Sequence, residues 1–282
     1  MYQAGLILEG GGMRGMYTAG VLDAFLDKEI EFSSIYGVSA GACHACSYIS
    51  KQRGRAFRIG VDYLDDPKYC SFKSFLKTGD LFGADFSYEQ IPDVLDPFDY
   101  DTFRDYKGKF YAVVTNVQTG QAEYKRVRDG EKHLWMVRAS ASLPMVSRTI
   151  AVKGKYYLDG GIADSIPIRR SIEDGNEKNV VVLTRDASYR KEPNGMLPLM
   201  KLRYPGKKAF LDAVETRHIH YNEVLAFLEE EEKVGRIFVI RPSEEVEVRR
   251  IEKDRDKLEA LYQKGLEDGL EKADAMIAYL EP

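Results

Sequence analysis

With 282 residues, the chain has room for one large α/β domain or two modest ones. Hydrophobic residues at 44% and charged residues at 30% describe an ordinary globular protein, and a net charge of −4 gives no reason to expect nucleic acid as a partner. Three cysteines do not make a disulfide framework, so a reduced, cytoplasmic setting is expected.

The first twelve residues, MYQAGLILEGGG, lack the basic start of a signal peptide. No stretch approaches the ~18 apolar residues of a spanning helix, so any membrane contact is expected to be peripheral, at the inner surface. Residues 4–8 read as a buried strand running into Glu9 and three glycines. From Gly15 the period becomes helical, with Tyr17, Val21, Leu22, Phe25 and Leu26 on one face and Asp23, Asp27 and Lys28 on the other. Residues 35–38 are a second strand and 40–48 begin a second helix, which implies a parallel pair with its loops at one edge. Residues 55–105 are aromatic-rich, interrupted by Pro67, Pro92 and Pro97, and read as short helices and loops. Residues 109–115 and 121–127 read as strands about a Thr119-Gly120 turn, and 131–141 as a helix. Residues 149–158 form a hairpin over Lys153-Gly154 that delivers the chain to Asp159-Gly160-Gly161. Two more buried strands, NVVVLT and RIFVIRP, are followed or preceded by charge-rich amphipathic helices over 210–233 and 246–279. The alternation favours a three-layer α/β/α fold with a mainly parallel central sheet and a helical C-terminal extension. Its expected division is a core over 1–185, a basic, apolar flap or loop over 186–208, and a helix-strand-helix part over 209–282.

Three constellations carry chemistry. EGGGMRG matches G-x-G-x-x-G as Gly10, Gly12 and Gly15, between a strand and a helix, and Glu31 lies about 20 residues on, as in a dinucleotide site. Glu31 precedes the second strand instead of closing it, and no Lys-Ser/Thr pair makes this a P-loop. Common to every reading are backbone N–H groups able to hold a phosphate or a transition-state oxyanion. The second constellation is Gly37-Val38-Ser39-Ala40-Gly41, the G-x-S-x-G of a serine on a tight strand-to-helix turn. Both glycine turns follow adjacent parallel strands, so they should face each other as nucleophile and anion cradle.

The third constellation is the base. His218 and His220 follow Ser39 in the order of an α/β-hydrolase triad, but they sit in a helical, charged stretch, and an elbow after two strands is too early for that fold. His133 opens a helix, and His44 lies one turn past Ser39. Asp159 is the carboxylate candidate: it closes the return strand of a hairpin before two glycines, and burial beside Ser39 would raise its pKa toward that of a working base.

The blocks GLILEGGGMRGMYTAGVLDAFLDKEIEFSSIYGVSAGA, ASASLP and YYLDGG together resemble the patatin-like phospholipase family over at least residues 4–168. The resemblance implies a Ser–Asp dyad of Ser39 and Asp159, with no cofactor or metal. It also implies an oxyanion loop of Gly10, Gly11 and Gly12, completed by Arg14 and Gly15. One departure appears: where the family often has Asn-x-Pro after D-G-G, this chain has Ser165-Ile166-Pro167. The expected activity is hydrolysis of a lipid acyl ester. A catalytically silent lipid-binding or regulatory module and a nucleotide-binding protein are the alternatives.

Two other features stand outside that set. Cys43 and Cys46 form C-x-x-C, read as packing beneath the elbow, because a zinc site needs about four ligands. Residues 185–208 hold seven Lys/Arg against two Asp/Glu around MLPLMKLRY, which suits either a solvated loop or a flap over the acyl pocket or on an anionic membrane.

Overall fold

The computed structural model describes residues 1–281. Its elements, in chain order, begin with β1 (Tyr2–Leu8), a 3-10 turn (Gly12–Gly15), α1 (Met16–Asp27), β2 (Phe32–Val38) and α2 (Ala40–Ile49). Then come α3 (Arg55–Val61), α4 (Phe72–Thr78), a π-helical segment (Phe86–Leu95), α5 (Tyr100–Asp105), β3 (Lys109–Asn116), β4 (Ala122–Val127) and α6 (Leu134–Ser140). The hairpin β5 (Ile150–Val152) and β6 (Lys155–Asp159) leads through a 3-10 turn (Gly160–Ile162) to α7 (Ile168–Glu173) and β7 (Lys178–Val182). The chain closes with α8 (Leu197–Arg203), α9 (Lys208–Lys233), β8 (Ile237–Ile240) and α10 (Arg255–Leu280).

One sheet runs in the order β5-β6-β3-β2-β1-β7-β8, with β4 paired to β3. β3, β2, β1, β7 and β8 are parallel neighbours, and β4, β6 and β5 add an antiparallel margin. Alternate residues of the central strands feed two cores, as a period of two requires. Leu6, Leu8, Val180, Val182 and Ile240 join α1, α2 and α10 on one face. Ile7, Val181, Leu183, Ile237 and Val239 meet α7 and α9 on the other. The fold is therefore a sheet flanked by helices in three layers.

The register aligns the strand ends that matter. Leu8 pairs with Gly37 and Val182, and Val38 with Val113, while the next residue of β3, Val114, pairs with Asp159. The glycine loop, the Ser39 turn, Asp159 and the segment after β7 thus emerge at one edge. β1 to β3 grow to one side of β1 and β7 and β8 to the other, so the topology reverses between β1 and β7, where open α/β sheets bind ligands.

Two expectations need correction. Asp23, assigned to the polar face of the first helix, is buried: it accepts the Tyr262 hydroxyl at 2.7 Å and the Gly54 amide at 2.9 Å. α10 covers that face, and the backbones approach so closely that a Cβ on Gly265 would lie 2.1 Å from the Tyr17 carbonyl oxygen. The last helix also begins at Arg255 rather than 246. Val246 and Val248 are spent on the core as irregular chain, and the Arg250 carbonyl accepts the Met13 N–H at 3.0 Å, while Asp254 caps the helix through the Lys257 amide.

Candidate active site

Ser39 sits between β2 and α2 with φ 54° and ψ −121°, a conformation few non-glycine residues adopt. The elbow is held from outside, since the Ser39 N–H donates to the Ser140 hydroxyl at 2.9 Å, in a residue with no exposed surface. Gly41 admits the neighbouring strand, because a Cβ there would sit 2.5 Å from the Leu8 carbonyl oxygen, and Gly37 packs as tightly against Ala42. Ser39 is the residue before the first turn of α2, so its side chain feels the positive end of the helix.

The glycine loop abuts it. A Cβ on Gly10 would lie 2.8 Å from that of Ser39, and Gly11 faces Thr184. Gly12 has φ 59° and lies under the Arg250 backbone. The N–H groups of Gly10, Gly11 and Gly12 donate to no acceptor among the described residues, which leaves them free for an anion. Glu9 fixes the start of the loop. Its buried carboxylate accepts the Tyr221 hydroxyl at 2.6 Å and the Thr184 N–H and hydroxyl at 2.7 and 3.0 Å. Arg14 is 8% exposed, with an unpartnered Nε, and burial together with Arg185 and Arg250 lowers its pKa to about 10. Gly15 packs on the His44 ring.

Asp159 is 3% exposed at the end of β6. Its N–H donates to the Ser142 carbonyl at 2.8 Å, and its own carbonyl accepts the Thr115 hydroxyl at 2.8 Å. Oδ1 accepts the Gly161 N–H at 2.7 Å, whereas Oδ2 is buried without a hydrogen bond. The block ASASLP therefore grips both Ser39 and Asp159, through the Ser140 side chain and the Ser142 backbone. Burial raises the pKa of Asp159, and the Ser39 hydroxyl, the Arg217 guanidinium and the Gly161 amide act against that rise. Ser39 and Asp159 border the same small cleft. Gly160 and Gly161 form the turn beyond, and Ser165, in place of the family's Asn, donates to the Gly161 carbonyl at 2.6 Å.

The histidines are elsewhere. His44 is buried, its pKa lowered to about 4 by desolvation, with Nε2 unpartnered against Gly15. His218 and His220 lie on α9 and bond the Glu215 carbonyl and Glu223. His133 precedes α6 and accepts from the Arg128 and Asp129 amides. Cys43 and Cys46 are free thiols, both raised by burial, Cys43 to about 11. Glu31 pairs with Lys51 at 2.7 Å beside the start of β2, the opposite end of the sheet from the glycine loop, so the acid of a dinucleotide site is not at that loop.

Two cavities meet at Ser39. One, of about 210 Å³, is walled largely by apolar side chains including Met16, Ile59, Tyr69, Phe82 and Leu143. The other, of about 20 Å³, is bounded by Gly10, Gly11, Gly12, Asp159, Arg217 and Arg250. The two arginines come from α9 and from the chain before α10, and sequence reading missed them. The available signal was Arg217 and Tyr221, four apart on one helical face.

A profile of the family described as patatin-like phospholipase matches residues 6–172. The chain belongs to that family. A second profile, of a domain of unknown function (DUF6363), matches residues 207–281. YjjU of Escherichia coli (strain K12), an uncharacterized protein, is 28% identical over 242 residues, covering 84% of this chain and 68% of its own. Lysophospholipase nte1 of Aspergillus niger is 29% identical over 177 residues, covering 58% of this chain but only 11% of that protein. The crystal structure of VipD from Legionella pneumophila superposes with a TM-score of 0.50 at 12% identity, covering 98% of this chain and 67% of VipD, and shows the shared fold. Among the described residues no helix is long and apolar enough to cross a membrane.

Proposed function

We propose that the protein hydrolyses fatty acyl esters of lipids through a Ser39–Asp159 dyad and an acyl-enzyme. The observation that carries this reading is the position of Ser39: on a strained elbow, beside a buried carboxylate and free glycine amides, at the mouth of an apolar cavity. Asp159 takes the hydroxyl proton as the Ser39 oxygen attacks the ester carbonyl, and the amides of Gly10, Gly11 and Gly12 hold the oxyanion. Collapse expels the alcohol, which leaves with the proton from Asp159. Water then gives a proton to Asp159 and attacks the acyl-enzyme; as the adduct collapses, Asp159 returns that proton to the departing Ser39 oxygen and the fatty acid is freed. The acyl chain occupies the larger cavity.

Substrate reaches the site from a lipid surface. In support, Met200 and Tyr204 anchor α8 in a cluster with Phe210 and Val214, while Leu199 and Leu202 stand 52% and 80% exposed beside Lys201 and Arg203. That arrangement suits a segment anchored on α9 with an apolar, basic outer side.

The test is labelling by a fluorophosphonate together with a fatty acyl ester assay. Wild type should label and turn over, and Ser39→Ala should do neither. A folded wild type that reacts with neither reagent would leave the silent lipid-binding module as the correct reading.

A further inference from the structure

The family match ends at residue 172, yet two residues beyond it complete the wall of the cleft beside Ser39. Arg217 and Arg250 line that cleft directly. Arg185 and Lys191, on the chain after β7, stand with Arg14 in the same group: the charges of Arg185 and Arg250 reach Arg14, and those of Arg217, Arg250 and Arg14 reach Lys191. The cleft that Arg217 and Arg250 line lies beside the glycine loop after β1 and the Ser39 turn after β2.

Their partners fall short of their charges. Arg217 donates only to the Ser165 hydroxyl, at 3.3 Å, and its Nε is buried without a partner. Arg185 donates to the Val246 carbonyl at 3.0 Å and stacks on Tyr189, and its Nε is likewise unpartnered. The Lys191 ammonium lies 4.2 Å from the centre of the Tyr221 ring. Arg14, the most buried of the set, has no partner for Nε. None of the five forms an ion pair among the described residues. The nearby carboxylates are few: Glu9 accepts three hydrogen bonds, and Asp159 accepts the Gly161 N–H. Buried cations are ordinarily paired. The mutual repulsion is felt, since burial, and then Arg217, lowers Lys191 to about 7.

An oxyanion carries one negative charge and already has the glycine amides. Five cations need more. Ser39, Gly12 and Leu143 border both cavities. An ester carbonyl at Ser39 with its acyl chain in the apolar cavity therefore directs its leaving alcohol toward the arginines.

We propose that Arg217 and Arg250, backed by Arg185 and Lys191, form a subsite for a phosphate group carried on the alcohol side of the ester, so that the C-terminal part selects acyl glycerophosphates over neutral acylglycerols. Guanidinium forks match phosphate oxygens, and the small cleft admits one oxygen while the half-buried Arg250 meets the others. The assignment rests on the lipid hydrolase reading above.

The experiment compares full-length wild type, Arg250→Gln, Arg250→Lys and Arg217→Gln on lysophosphatidic acid and on the monoacylglycerol of equal acyl chain, below their critical micelle concentrations. Arg250→Gln should lower kcat/KM on the phosphate substrate by about 10- to 100-fold, the effect of losing hydrogen bonds to a charged group, mainly through KM, with the neutral substrate within about threefold. Arg250→Lys should recover part of the loss. Should Arg217→Gln fail to fold, the two Arg250 variants decide alone. Glycerol 3-phosphate should inhibit wild type competitively and better than inorganic phosphate; equal inhibition by the two would show a free-phosphate site and overturn the assignment to substrate. Equal losses on both lipids, or none, would also overturn it. If wild type cleaves neither lipid and is not labelled by a fluorophosphonate, the hydrolase reading fails separately. Calorimetry of glycerol 3-phosphate binding to wild type and Arg250→Gln then judges the subsite, weaker binding by the variant supporting it and equal binding refuting it.

Discussion

Replacing Asp159 by asparagine separates chemistry from architecture more cleanly than any other single change. Asparagine keeps an Oδ1 that can accept the Gly161 N–H, now at 2.7 Å, and the oxygen it replaces makes no hydrogen bond. The backbone bonds to Ser142 and Thr115 are untouched. Folding should survive: burial of the charge, which opposes folding, is relieved, while Arg217 loses a compensating neighbour. A residual of about 1 kcal/mol in either direction corresponds to roughly 2–4 °C in Tm. Activity should not survive. A positioned general base contributes about 10²–10⁴-fold, or roughly 3–5 kcal/mol of barrier. The assay is kcat/KM on a soluble acyl ester against pH, with Tm measured in parallel. A base works only when ionised, and burial lifts the Asp159 pKa above its ordinary value, so the wild-type rate should rise with pH through that raised pKa and then level. The Asp159→Asn enzyme should lack that limb. A folded variant within tenfold of wild type at neutral pH, or one that keeps the acid limb, would refute the dyad.

Two further outcomes are expected. His44 is held neutral at physiological pH and faces Gly15, so His44→Gln should retain esterase activity within about fivefold; a loss matching that of Ser39→Ala, with circular dichroism unchanged, would identify it as the base. Gly265→Ala places a Cβ 2.1 Å from a backbone oxygen of α1, so overpacking of about 1–3 kcal/mol should outweigh alanine's gain in helix propensity of about 1 kcal/mol. Differential scanning calorimetry should show a lower Tm, and an unchanged or higher one would mean that α10 does not pack on α1 as described.

The end of the sheet that carries the candidate site was legible because its constraints are local. A strand followed by glycines, a serine turn and a carboxylate closing a hairpin each leave a short pattern. Parallel strands then force their exits to one edge, so Ser39 and the glycine loop meet without knowledge of the rest. What supports them was hidden for the opposite reason. Ser140, Thr115, Thr184 and Tyr221 act through one or a few long-range bonds, and an isolated serine or tyrosine carries no periodic signal. Asp23 misled because helical amphipathicity shows one apolar face and not a second helix laid over the polar one with a tyrosine hydroxyl aimed at its acid. The chain at 246–254 misled through Val246 and Val248, buried at a spacing that a helix or an irregular segment can satisfy equally.

The C-terminal part does more than cover the sheet. The Arg250 carbonyl holds the Met13 N–H, so the segment before α10 pins the far end of the glycine loop while Glu9, fastened by Tyr221 of α9, pins the near end. Loop amides serve an oxyanion only if their direction is fixed beforehand, because reorganisation during the reaction would consume the stabilisation they supply. Both anchors involve residues outside the stretch that the patatin-like profile matches. The α10–α1 crossing acts at the same end of the chain, pressing on the helix that continues directly from the loop through Gly15. Residues 207–281 are therefore tied to the supports of the candidate site at Arg250, at Tyr221 and along the α10–α1 crossing. A region that contains neither Ser39 nor Asp159 can in this way set the orientation of the glycine loop beside them.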